Sequence, residues 1–156
     1  MNRRHFLAAL PATALASCGP AAEPPKVAVQ EGDWPWWRGP TRDGTAPKQT
    51  VPTEWSKDKN VVWEAAVPGK GHGSPCVVSE RVFLATADPE AETQSVVCFD
   101  RKTGKQLWLT EVHKGRLVKG GNAKSSHASA TPACDGHRVY INFTNADAVR
   151  TTCLDL

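Results

Sequence analysis

The chain has 156 residues, 40% apolar and 22% charged, which is enough for one domain with a folded core and too apolar for wholesale disorder. Gly and Pro, twelve of each, favour many turns over long helices, and six Trp stand against one Tyr and one Met. The formal net charge of +3 falls to +1 once Arg3 and Arg4 are set aside, leaving 17 basic and 16 acidic side chains; that balance excludes an electrostatic nucleic-acid footprint.

Residues 1–17 have the three-part layout of an export signal. The basic pair Arg3-Arg4 comes first, then an apolar stretch from Phe6 to Leu15, then a small-residue site ending at Ser17. Ten apolar-region residues are too few for a spanning helix, which needs roughly 20, and Pro11 interrupts them. Arg3, Arg4, Phe6 and Leu7, in NRRHFL, resemble the twin-arginine export motif. LASC, Leu15 to Cys18, resembles a bacterial lipobox. That resemblance implies cleavage before Cys18 and acylation of Cys18, which anchors the protein to the membrane facing the periplasm or the exterior. The plainer alternative is an ordinary cleaved signal in which Cys18 is incidental. Residues 18–32 then read as the lipidated Cys and a flexible Pro/Ala-rich tether. Residues 33–59 read as a Trp-rich lead-in, DWPWWRGPTRDG at its start, whose rings pack on the fold or, in a sharper reading, bind a ligand.

From residue 60 every element reads as β. NVVWEAAV, Asn60 to Val67, has the pattern of the last strand of a preceding unit. Strands follow over 74–78, 81–87, 95–100 and 106–112, and again over 130–134, 138–144 and 148–154. SPCVVSERVFL and TPACDGHRVYI match at an offset of 57, and VCFD and TCLD at an offset of 55. Recurrence on this scale predicts a repeat architecture of four-stranded antiparallel blades, whose usual length is about 40–50 residues. The loop HKGRLVKGGNAKSSHAS stretches the interval between units.

CFDRKTGKQLW, Cys98 to Trp108, holds the most specific spacing. The Asp100 carboxylate is placed to accept backbone N–H groups two and three residues on. Gly104 supplies a positive φ to close a hairpin turn. Lys105 leads into the outgoing strand, and Trp108 falls on the outer strand, where its ring covers the junction with a neighbouring blade. Trp63 lies 45 residues before Trp108, one blade earlier.

Asp100, Thr103, Gly104, Lys105 and Trp108 resemble the tryptophan-docking motif of the PQQ-like β-propeller repeat family, with Cys98 where that motif has Ala. The resemblance covers about residues 33–156. It implies an all-β partial propeller of about two to three blades over residues 60–156, and a longer protein of six to eight blades as the source. It also implies three functional readings. The first is a non-catalytic, envelope-anchored binding or scaffold propeller with a protein partner, as in the lipoprotein that assists outer-membrane β-barrel assembly. The second is a periplasmic quinoprotein dehydrogenase using PQQ and Ca²⁺, and the third a sensor or carbohydrate-binding module.

The enzyme reading calls for a vicinal Cys pair and Asn/Glu ligands. The sequence has no adjacent Cys, and Asp88, Glu90 and Glu92 lack the Gly of a calcium loop. No cofactor is expected under the scaffold reading, nor any catalytic residue. Cys76, Cys98, Cys134 and Cys153 show no CxxC spacing and read as small buried hydrophobes, with disulfide pairing, which an oxidising compartment permits, as the alternative. His72, in GHGSP, and His127, in SHASATP, each precede a unit's first strand, which makes them candidates for a channel ligand; polar loop residues are the plainer reading.

Overall fold

The computed structural model describes residues 26–46, 49–120, 122 and 124–156. The export signal, Cys18 and the first part of the tether lie outside the described residues. Among the described residues the fold is all-β, with seven strands in two antiparallel sheets. The first sheet takes β1 (Cys76–Val78), β2 (Arg81–Asp88), β3 (Thr93–Asp100) and β4 (Gln106–Lys114) in the order β1-β2-β3-β4. The second takes β5 (Ala133–Cys134), β6 (Arg138–Asn145) and β7 (Ala148–Asp155) in the order β5-β6-β7. These are partial propeller blades in meander order.

The two sheets share one register. Cys76 pairs with Phe83 and Arg81 with Asp100 in the first; Ala133 pairs with Tyr140 and Arg138 with Asp155 in the second. The change of offset from 57 to 55 is absorbed in a turn: residues 89–92 join β2 to β3, whereas residues 146–147 join β6 to β7. A one-residue slip would invert every side chain of a strand, so the shortening by two preserves which face each residue takes.

The larger core lies between the sheets. Phe83, Ala85 and Ala87 of β2 and Val96 and Cys98 of β3 meet Val139, Ile141 and Phe143 of β6. Trp108 and Val112 of β4 and Leu154 of β7 close its margins. The opposite face of the first sheet carries Val82, Val97 and Phe99, covered by Trp63 and Ala65. Each fully buried Phe or Val contributes roughly 1.5–3 kcal/mol by leaving water.

Trp63 and Ala65 of segment 60–67 pack against that second face, yet the segment forms no strand. The expected strand therefore has no paired neighbour among the described residues, and Val62 is 88% exposed. The lead-in pairs instead with the free edge of β1, where Trp34 and Val77 exchange backbone bonds of 2.7 and 2.9 Å. Pro35 carries this contact across to the second sheet, its carbonyl accepting from Cys134 N at 2.8 Å. Ala28, within the stretch read as a tether, donates its N–H to Asp135 O at 2.7 Å.

Candidate functional site

The turn after β3 is built from its own side chains. Asp100 Oδ1 accepts from Thr103 Oγ1 at 2.7 Å, Thr103 N at 2.8 Å and Lys102 N at 3.1 Å. The Thr103 hydroxyl and amide, with Lys102, hold the Asp100 carboxyl below the usual carboxylate range. Gly104 N closes the loop on Asp100 O at 2.9 Å, and Gly104 has φ 71°. Lys105 follows, its carbonyl accepting from Asp100 N at 2.8 Å.

A ring from another part of the chain lies on this turn. A Cβ on Gly104 would sit 2.5 Å from Cε3 of Trp63, so the indole packs flat where only glycine leaves room. Trp63 Nε1 donates to Arg101 O at 2.8 Å. The turn is fixed further from below: Arg101 N donates to Glu80 O at 2.9 Å, and Lys102 Nζ meets Glu80 Oε2 at 3.0 Å. Arg101 also reaches the lead-in, with Nη1 3.8 Å from the buried Asp33 carboxylate. Asp33 in turn accepts from Ser79 N and Gln30 N, at 2.8 and 2.9 Å.

Trp108 lies one strand further out, half-buried against the inter-sheet core, its ring 5.9 Å from that of Phe83. Trp63 and Trp108 thus both join neighbouring segments, but by different contacts. Trp63 clamps a turn, whereas Trp108 fills the seam between the two sheets.

Two features of that seam escape motif reading. Gln94 is fully buried, donating Nε2 to His127 O at 2.8 Å and Thr144 O at 3.0 Å. Its Oε1 accepts from Asn145 Nδ2 at 3.2 Å, and Asn145 also donates to Gly115 O at 3.0 Å. This polar knot joins β3, β6 and the loop between the sheets. Little in the sequence marked Gln94: it stands between Thr93 and Ser95 ahead of the apolar run of β3, and its counterpart 55 residues on is Val149. Near it, the His113 ring meets Phe143 edge-on at 6.0 Å, and burial, with Arg150 nearby, lowers its pKa.

His72 and His127 line the same cavity of about 270 Å³, with Lys70, Ser125, Ser126, Ala87 and Pro89. Cys76, Cys98 and Cys134 are buried free thiols and Cys153 is an exposed one. Burial pushes the Cys98 thiol up to about 11 and raises Cys76 and Cys134 as well. In the lead-in, Trp34 lies on Gly39, whereas Trp37 is 60% exposed with Arg38 stacked 4.6 Å from its ring centre. The three rings therefore do not all pack on the fold. Among the described residues no three of His, Cys, Asp and Glu converge on one point, and the four thiols lie on separate strands.

A PQQ-like repeat family model, described as outer membrane protein assembly factor BamB, matches residues 48–155. No curated protein matches the chain.

Proposed function

The chain belongs to that PQQ-like repeat family, and from this premise we propose that it is a non-catalytic binding and scaffold propeller of the bacterial cell envelope. Its anchor is a lipid on Cys18, reached through the signal carrying Arg3, Arg4, Phe6 and Leu7, and its partner is another envelope protein. One observation supports the reading above others: the residues with the most specific spacing are occupied with one another. Asp100, Thr103 and Gly104 form the turn, Trp63 lies on it, and Arg101 and Lys102 tie it to neighbouring backbone and to Glu80. A motif engaged in this way supplies a rigid surface rather than a reacting group. The family description, an outer-membrane assembly factor, points to the same compartment.

Two measurements test the proposal. Metabolic labelling with a fatty acid in a bacterial host labels the full chain and fails to label Cys18→Ser; equal labelling of both removes the anchor. Adding PQQ and Ca²⁺ to the purified full chain leaves its absorbance and melting temperature unchanged. A shifted quinone band with a raised melting temperature favours the quinoprotein reading instead.

A further inference from the structure

We propose that the cavity between residues 70–72 and 125–127 binds the oxyanion of a small phosphate or sulfate monoester. Lys70 is fixed by two backbone bonds to Ala87, at 2.8 and 2.9 Å, and His72 N donates to Ala128 O at 3.1 Å. Gly71 and Gly73 alternate with them and lie against the carbonyls of Ala85 and Ala130, where a Cβ has no room. In an extended segment successive side chains take opposite sides. The packed glycines therefore leave Lys70 and His72 together on the open side, and both line the cavity.

The facing wall is equally well fixed. Buried Gln94 holds His127 O at 2.8 Å, Ser126 Oγ and Ser129 Oγ lie 3.2 Å apart, and Ser125 Oγ donates to Asn122 O at 2.7 Å. Among the described residues, neither the Lys70 ammonium nor the His72 or His127 ring has a hydrogen-bond or ion-pair partner, and no carboxylate lines the cavity. The neighbouring Asp88 carboxylate is engaged within its own loop, accepting from Glu90 N at 2.9 Å and Ala91 N at 3.1 Å. An unpaired ammonium and two unpaired imidazoles lining one cavity without a carboxylate suit an anion, which charge-assisted bonds from Lys70 hold best. At about 270 Å³ the cavity falls just below the roughly 300 Å³ at which small-ligand sites begin, so it accepts a compact ester. This site is separate from the proposed protein partner and stands or falls on its own.

The test uses the full chain, with the imidazole resonances of His72 and His127 followed by NMR. The probes are glucose 6-phosphate, glucose 6-sulfate, inorganic phosphate and glucose. Saturable shifts at both rings with either ester, absent with glucose, are expected, and the tighter ester identifies which oxyanion is preferred. Lys70→Ala weakens binding roughly tenfold, the loss of one charge-assisted bond, while Lys57→Ala, an exposed cation elsewhere, leaves it intact. Equal melting temperatures without ligand establish that both variants fold. Absence of saturable shifts, equal affinity in Lys70→Ala, or an equal loss in Lys57→Ala overturns the site. Inorganic phosphate binding as tightly as the esters overturns the assignment to a monoester.

Discussion

The third strands of the two sheets hold equivalent positions in the repeat but have opposite environments. In β3 six consecutive residues, Gln94 to Phe99, are buried; in β7 none is. Phe83 opposite Cys98 is sealed, whereas the same cross-strand pair in the second sheet, Tyr140 opposite Cys153, has a half-buried ring and an exposed thiol. The difference comes from neighbours. The second sheet and Trp108 cover the Phe83–Cys98 face, and Trp63 with Ala65 covers the other side of the first sheet. Only the Val139–Ile141–Phe143 side of the second sheet is covered in the same way. Burial in this fold is therefore a property of the stack, as expected when each unit is stabilised through its interfaces.

The largest test of this contrast is truncation of the equivalent aromatics. Phe83→Ala empties a fully buried position and costs about 3–5 kcal/mol in urea unfolding, whereas Tyr140→Ala costs about 1 kcal/mol. Equal losses would mean that the sheets are equally covered. Next, Gln94→Ala cuts the knot across the seam and strands the groups it satisfied, for a loss of about 1–3 kcal/mol by the same measurement.

A smaller effect separates the turn from the core. The Asp100 carboxyl titrates lower in the folded chain than the roughly 3.9 of an unfolded Asp. Its contribution is thus complete above about pH 4 and disappears as pH falls through the lower folded value. Asp100→Ala lowers the melting temperature at neutral pH, and the gap to wild type narrows below about pH 4. A gap independent of pH would show that the carboxylate charge is not what holds the turn. The smallest perturbation is chemical: in a Cys18→Ser background, a thiol reagent modifies Cys153 at once, while Cys98 reacts only as the chain unfolds.

Much of this architecture was legible in the sequence, and specific residues show why. The offsets of 57 and 55 established two units in common register, because cross-strand pairing leaves little freedom once each strand has a buried face. Asp100, Thr103 and Gly104 announced a turn since each supplies something local: an acceptor, a hydroxyl, a positive φ. What local pattern did not disclose was which segments meet across the fold. Asn60 to Val67 reads as a strand, but pairing needs a partner edge, and the segment uses its Trp63 ring instead. Gln94 looks unexceptional until Asn145 and the carbonyls of His127 and Thr144 converge on it. His72 and His127 were legible as two residues ahead of two strands; that Lys70 joins them depends on the tight packing of Gly71 and Gly73.

The central claim, that one segment is clamped to the next by an indole lying on a glycine turn, is tested most directly by a double-mutant cycle between Trp63 and Gly104. A methyl on Gly104 and truncation of Trp63→Ala each abolish the same contact, so their combined cost in urea unfolding should fall at least about 1 kcal/mol short of the sum of the single costs. Costs that add to within about 0.5 kcal/mol would show that the two residues act independently and that the turn does not hold the ring.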